Sequence, residues 1–388
     1  MNNNNKYIIP IALLILPHFD PNLLTQDFMP GWIDFFLKIL QCLSIVASVF
    51  MIKSVLSFPR FKVIYAFYII CTFIALLIST FINGNGVIKP FFYLAEIIAI
   101  LTISSFFIYR KNALKTLISV ISGYFFILAV FDIMSLLVIP KTMENYWLFG
   151  GKNNHIYFVL PFLFFQIVNI GLNKKLSFKS ILLHVFMAFL IIKLEGSVTA
   201  LFALVLTSLF LLYYSNKTDL QAKHSLFHIK YVFLGSLVIS IVFIISQQIS
   251  ILEMLIIYFD KEETFGRFGI WEMALDFIKQ RPLLGYGYSG VDEMSEIFRL
   301  DISHCHNKFV DVLYMTGIVG FVCFILSLFF SFTKAKRGKI QLLLSIVISA
   351  YAIEFMTEGK RVNLAFYFML FLYPVITNEI DSAKSIKK

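Results

Sequence analysis

Charged residues are scarce in this chain of 388 residues. Lys, Arg, Asp and Glu make up 14% of it, whereas about 25% is usual in soluble domains. Hydrophobic residues make up 59%, and 45 of them are phenylalanines. This composition excludes an ordinary soluble globular protein.

Cysteine is also rare, with four residues in all. Cys42, Cys71 and Cys323 fall in apolar segments, and only Cys305 falls in a polar loop. No framework of disulfides is therefore predicted. Cys305 alternates with His304 and His306 and no further ligand set is near in sequence, so we predict no metal site.

The apolar residues come in blocks, most of them long enough to cross about 30 Å of hydrocarbon. Such blocks must be helical, because lipid offers the backbone no hydrogen-bond partner. We predict an all-α polytopic membrane protein, residues 1–388 forming one integral membrane domain. About twelve transmembrane helices are expected, at residues 7–19, 32–52, 63–82, 90–109, 116–139, 156–172, 181–194, 198–214, 231–251, 309–332, 340–357 and 364–380.

The basic residues predict the orientation of these helices. If the connections are taken alternately, one set, which includes both termini, holds 20 of the 33 Lys and Arg residues. Positive charge in short loops stays on the cytoplasmic side, so both termini are predicted to be cytoplasmic. The net charge of +10 then reflects orientation and anionic lipid, and no nucleic-acid partner is expected.

The longest polar segment, residues 252–308, is predicted to be an extracytoplasmic loop between helices nine and ten. Within it, "GRFGIWEMALDFIKQRP" has apolar residues at helical spacing and ends at Pro282. Such a helix would lie on the membrane or cap the bundle. The glycine-rich "LLGYGYSG" predicts a tight turn, and "VDEMSEIFR" a second short helix.

Arg267 opens the first helix of this loop. A guanidinium suits a diphosphate, because it offers a planar fork of donors and keeps its charge. The alternatives are an arginine at lipid headgroups or an ion pair with Glu262 or Glu263.

His304, His306 and Asn307 lie just before helix ten. A histidine can exchange a proton near neutral pH, and the free amides of a first helical turn can bind an anion. The alternative is a helix cap from Ser303 or Asn307, with solvated histidines.

Charged residues inside the apolar blocks need partners, because a charge near the membrane centre costs at least about 3 kcal/mol. Asp132, Glu96, Glu354 and Lys38 are therefore expected to line a cavity or to pair. Two further basic residues, Lys360 and Arg361, are candidates for a diphosphate, with local pairing as the alternative.

The order "GRFGIW…RPLLGYGYSG…HCHNKFVDVLYMTGIVG" resembles the bacterial O-antigen polymerase and O-antigen ligase superfamily. That signature runs Gly-Arg, Trp, Pro-x-x-Gly-x-Gly, His-Asn and Gly-x-x-Gly around one outer loop. Gly317 and Gly320 form the last pair, and by themselves predict close helix packing. "WLFGGKNNHIYFVLPF" at 147–162 looks like a second family element and makes Asn154 a candidate substrate-binding residue.

The resemblance implies a metal-independent membrane glycosyltransferase without cofactors, which uses a sugar linked to undecaprenyl diphosphate. Arg267 would hold the diphosphate, and His306 would act beside the acceptor hydroxyl. His304 and Asn307 would bind substrate. Tyr288, with Tyr286 and Trp147, could stack on sugars, although the membrane interface also favours these residue types.

One position departs from the family pattern. Many members carry Ser-Arg-Gly at the turn between helices seven and eight, and Val198 stands where that arginine would fall. Lys193, about one turn earlier, is the candidate substitute; pairing with Glu195 is the alternative.

The expected function is therefore a polymerase of O-antigen or capsule repeat units at the outer face of the bacterial inner membrane. Its partners would be lipid-linked donor and acceptor, membrane lipids and a chain-length regulator protein. One alternative is a ligase that transfers glycan to a lipopolysaccharide core or another acceptor. Another is a transporter of lipid-linked oligosaccharide, which predicts charges along a central path.

Overall fold

The fold is described from a computed structural model of the chain. It describes residues 5–21, 30–56, 64–110, 113–151, 153–173, 177–218, 228–245, 263–289, 294, 298, 304–335, 337–357 and 363–385. These contain no strand and thirteen α-helices. The helices are α1 (Ile8–Ile15), α2 (Gly31–Leu56), α3 (Ile64–Ile82), α4 (Ile88–Ile108), α5 (Ala113–Val138), α6 (Ile156–Asn173), α7 (Phe178–Glu195), α8 (Val198–Ser215), α9 (Ile229–Ile245), α10 (Glu263–Gln280), α11 (Lys308–Lys334), α12 (Lys339–Thr357) and α13 (Leu364–Ser385).

Each of the twelve predicted apolar blocks coincides with a helix, and α10 is the additional one. Within the described residues, seven helices are long and apolar enough to cross a membrane: α2, α4, α5, α6, α8, α11 and α12. The apolar parts of α1, α3, α9 and α13 are shorter. The eighteen residues of α7 include three charged side chains, Lys179, Lys193 and Glu195, which lower its hydropathy. The polytopic all-α fold is confirmed, and crossing by these last five helices stays a prediction.

Burial separates central from peripheral helices. Every residue of α13 from Ala365 to Thr377 is buried, as expected for a helix that is apolar on all sides. By contrast, α2 exposes large apolar side chains such as Phe36 (52%) and Phe50 (81%). An apolar surface of this kind is suited to hydrocarbon.

A second, smaller core lies beneath the predicted loop. Ile270, Trp271, Ala274 and Ile278 of α10 pack with Leu76 of α3 and with the start of α11. The helix ends at Gln280, two residues before Pro282, as predicted. It caps part of the bundle because its apolar face is buried against α3 and α11.

Two charges within the predicted spans have partners inside the bundle or on its surface. Glu96 contacts Nδ1 of buried His18 (3.3 Å), whose Nε2 contacts Ser44 (2.8 Å). Lys38 is exposed and pairs with Asp34 one turn away. The first pair stays inside the bundle, whereas the second is on its surface.

Candidate active site

Helix α11 is broken at Gly317, which has φ +60° and ψ −167°. The carbonyls of Tyr314 and Met315 accept hydrogen bonds from the N–H groups of Tyr286 and Gly287, each at 2.8 Å. In return, Ile318 donates to the carbonyl of Pro282 (2.8 Å) and Val319 to that of Leu283 (3.3 Å). We call residues 281–289 the clasp, because this segment satisfies the backbone groups that the break leaves open.

Glycines are required where the clasp meets its neighbours. A Cβ on Gly285 would lie 2.3 Å from the carbonyl oxygen of Tyr314, and one on Gly317 would lie 2.3 Å from Leu283 backbone atoms. Gly285 also has a left-handed φ of +66°. The glycines of the clasp thus allow its main chain to contact the main chain of α11. The sequence reading of Gly317 as a helix–helix packing residue was wrong, whereas Gly320 does pack closely on Ala75 of α3.

The end of α3 fixes the clasp from the other side. Thr80 accepts a hydrogen bond from the N–H of Tyr288 (2.8 Å), and Asn83 donates to the carbonyl of Gly285 (3.0 Å). The half-buried ring of Tyr288 lies edge-on to Tyr93, with centroids 5.7 Å apart. Tyr288, a predicted substrate-binding residue, is therefore part of a rigid surface beside the break.

The segment His304–Asn307, here called the histidine loop, is held by both main-chain groups of Cys305. Its carbonyl accepts a hydrogen bond from the indole N–H of Trp271 (2.8 Å), and its N–H donates to Oδ1 of Asp311 (3.3 Å). Cys305 is fully buried, so this residue anchors the loop in the small core under α10.

Asn307 ends the loop and caps α11. Its side-chain oxygen accepts from the N–H groups of Phe309 (3.0 Å) and Val310 (3.2 Å), and its amide donates to the carbonyl of Met356 (3.2 Å). The capping alternative is therefore correct for Asn307. Asn307 itself is buried, so the adjacent His306 is the accessible residue that could contact a substrate.

The two histidines are the accessible part of the loop. Both are half-buried, and their ring centroids lie 4.3 Å apart. His306 has a left-handed φ of +49°, a conformation that non-glycine residues rarely adopt. Strain of this kind persists where the surroundings over-determine it, and it is concentrated at functional sites. Here the hydrogen bonds described above hold Cys305 and Asn307, the residues on either side of His306.

A buried carboxylate lies directly below the loop. Asp311 is fully buried, and its Oδ2 has no hydrogen-bond partner among the residues that the structure describes. Lys308, also buried, precedes it by one turn. An acidic side chain in a first helical turn is favoured by the helix dipole, and here it also positions Cys305.

The structure describes only some of the basic residues that were predicted to bind the diphosphate. Arg267 lies in α10 one turn before Trp271, whose indole contacts the histidine loop; the side chain of Arg267 lies outside the described part. Lys360 and Arg361 lie outside the described residues. Lys193 is exposed near the end of α7, and no ion pair joins it to Glu195 within the described chain.

A second polar cluster was not predicted. Nδ1 of His155 contacts Asp132 (2.9 Å) and its Nε2 contacts the carbonyl of Gly150 (3.1 Å). Glu195 accepts from the N–H of Asn153, and Glu195, His155 and Asp132 are all fully buried. Burial alone would lower the pKa of His155, but the hydrogen bond and charge of Asp132 outweigh it and raise the pKa.

Other predicted residues border this cluster. Asn154 is half-buried, and its carbonyl accepts from the N–H of Tyr157 at the start of α6. Trp147 is fully buried and donates to the carbonyl of Ile139 (3.0 Å). The expectation that Trp147 stacks on sugars is therefore wrong in this structure. An intramembrane Asp132 and a histidine at a helix start were the signals for the cluster.

Both polar regions adjoin the same end of α12. Asn307 bonds to the carbonyl of Met356, and Tyr157, two residues after His155, has its ring 6.2 Å from that of Tyr351. Five residues separate these α12 positions, about 7.5 Å along the axis. The two segments whose sequences carry the resemblance, 147–162 and the histidine loop, thus both contact the last two turns of α12.

Residues 182–325 match the model of a family described as O-antigen ligase. This match supports the resemblance to the O-antigen polymerase and ligase superfamily. The matched part of the chain runs from α7 through α10, the clasp and the histidine loop into α11. Members are glycosyltransferase-like enzymes. No curated protein matches the chain.

Within the described residues, no three His, Cys, Asp or Glu side chains are grouped to hold a metal ion.

Proposed function

We propose that this protein is a polysaccharide polymerase of the bacterial inner membrane. It transfers a growing O-antigen or capsule glycan from undecaprenyl diphosphate to the sugar of another lipid-linked repeat unit. The observation that carries the proposal is the histidine loop, where a strained His306 is held over a buried carboxylate inside the matched family segment.

In the proposed reaction, an acceptor hydroxyl oxygen forms a bond to the anomeric carbon of the donor. The bond from that carbon to the diphosphate oxygen breaks, and undecaprenyl diphosphate leaves with the electron pair. His306 either accepts the hydroxyl proton or orients the hydroxyl while an oxygen of the departing diphosphate accepts that proton, and His304 contacts the same substrate. Arg267 stabilises negative charge that develops on the leaving diphosphate. No metal or cofactor is required for these steps.

The remaining predicted residues take supporting roles. Asn307 acts through the loop, because its side chain is already bonded to α11 and α12. Lys193, Lys360 and Arg361 are proposed as further diphosphate contacts. Asn154 and Tyr288 are proposed to contact sugars.

The proposed orientation has both termini in the cytoplasm and the active site at the outer face. Residues 1–388 form one integral membrane domain, with 252–308 as the outer loop. The excess of Lys and Arg in the opposite set of loops supports this orientation. A chain-length regulator protein is a proposed partner, and the glycan is exported as capsule or joined to lipopolysaccharide.

A ligase is the second candidate, because the matched family is described as O-antigen ligase. It would use the same donor and move the finished glycan to a core lipid or another acceptor.

A transporter is less well supported. The open backbone groups of a broken helix often bind ions in transporters, whereas here the clasp already occupies the carbonyls of Tyr314 and Met315.

The test is complementation of a strain that lacks the native gene. Arg267→Ala and His306→Ala should give surfaces with single repeat units only, while the protein level is unchanged. Lys279→Ala is the matched control, because Lys279 is exposed on α10 and pairs with exposed Asp276. Accumulation of full-length lipid-linked polymer would favour the ligase, and unchanged polymer in both variants would contradict the proposal.

A further inference from the structure

A groove of about 230 Å³ lies between α9 and α11, and its lining includes Phe309 in the first turn of α11. Its walls are apolar and include Phe233, Leu237, Leu328 and Phe332. The groove opens to the surface that faces lipid, where Leu234 and Phe329 are 56% and 50% exposed. The shape and lining fit a hydrocarbon chain.

One end of the groove is basic. Lys230, in the first turn of α9, is among the lining residues. His228 precedes the helix, and its pKa is lowered by burial and then by the charges of Arg337 and Lys230. Arg337 is exposed in the turn between α11 and α12, five residues after Phe332, which lines the same groove as Lys230.

No carboxylate neutralises this basic end within the described residues. Lys230 has a contact with the ring of Tyr231, 4.9 Å from its centroid. Neither Lys230 nor Arg337 has an ion pair among the described side chains. The sequence "TKAKRGK" between α11 and α12 also contains no acidic residue. Positive charge at a helical groove near a membrane surface attracts anionic headgroups.

We propose that this groove binds an anionic phospholipid of the leaflet opposite the histidine loop. One acyl chain lies between α9 and α11, and the headgroup phosphate lies between Lys230 and Arg337. A polyprenyl tail that descends from the histidine loop would need only apolar walls and would leave these charges without a role. The proposal concerns lipid binding alone, so it does not depend on the proposed glycosyl transfer.

The test measures lipid retained by the purified full chain in native mass spectrometry. The protein is prepared from vesicles with equal amounts of phosphatidylglycerol and phosphatidylcholine. The wild type should retain phosphatidylglycerol preferentially. The double variant Lys230→Gln, Arg337→Gln should lose about fivefold in retention for each charge removed. Lys179→Gln, an exposed lysine on α7, is the charge control and should behave as wild type.

A second variant tests the apolar part without removing charge. Leu234→Trp places a large ring at the rim of the groove and should also reduce retention. Leu209→Trp, on the exposed face of α8, is its control. Equal retention of both lipids by the wild type would overturn the proposal. Retention of a polyprenyl phosphate that the double variant does not change would overturn it as well.

Discussion

Gly317→Ala should disrupt the clasp. The new Cβ would lie 2.3 Å from both the carbonyl carbon and the carbonyl oxygen of Leu283, closer than real Cβ contacts. The obstacle is backbone, so no side-chain rotation relieves it. Overpacking typically costs about 1–3 kcal/mol. The combination of φ +60° and ψ −167°, a region that essentially only glycine occupies, adds about 1–3 kcal/mol for another residue. We therefore expect a loss of about 2–6 kcal/mol in the free energy of unfolding.

The assay compares thermal unfolding of purified Gly317→Ala with that of Gly123→Ala. Gly123 lies inside α5 with open space around its Cβ position. Its replacement should be neutral or stabilise by up to about 1 kcal/mol, because alanine favours a helix. Activity should fall in parallel only for Gly317→Ala, since the break connects the clasp to the histidine loop. A Gly317→Ala protein as stable and active as Gly123→Ala would refute this account of the break.

Three further outcomes are expected. Trp271→Phe and Asp311→Asn each weaken one buried anchor of Cys305, so the free energy of unfolding should fall by about 1–3 kcal/mol. Glycosyl transfer by the folded protein should fall about 10–100-fold through misplacement of His306. An equal loss of transfer in Trp32→Phe, at an exposed site on α2, would contradict this. The pKa of His155 is raised, so the stabilisation from its protonation is complete below the ordinary pKa of about 6.5 and is lost as the pH rises through the raised pKa. The thermal midpoint of the wild type should therefore decline between about pH 6 and about pH 9, and the decline should be less steep in His155→Gln. An unchanged slope would contradict a stabilising Asp132–His155 pair. Lys193→Ala should raise the donor KM without changing stability, because the side chain is exposed; an unchanged KM would remove Lys193 from the site.

Much of the fold could be predicted from the sequence, because a lipid environment permits few backbone structures. Apolar blocks must be helical, so their existence was predictable even where boundaries moved by a few residues. The helix over 263–280 was predictable from its apolar spacing and from Pro282. The break in α11 was not, because "MTGIVG" is equally compatible with a continuous helix. It exists only because a distant segment, the clasp, supplies hydrogen bonds to it.

The residue types of the candidate site could be predicted from the sequence, but the hydrogen bonds that join them could not. The histidines and Asn307 stood out as polar residues at the start of an apolar helix. Nothing local indicated that Cys305 is the buried anchor, since its partners Trp271 and Asp311 reach it from two different helices. The Asp132–His155 pair was not predicted for the same reason, since 23 residues separate its members.

The central claim is that the chain itself catalyses glycosyl transfer with His306 at the reacting hydroxyl. The most direct measurement is in vitro extension of a synthetic lipid-linked repeat unit by purified protein in vesicles. The wild type should produce a ladder of longer glycans and release undecaprenyl diphosphate, and His306→Ala, correctly folded, should produce neither. Equal ladders from both proteins would contradict the claim.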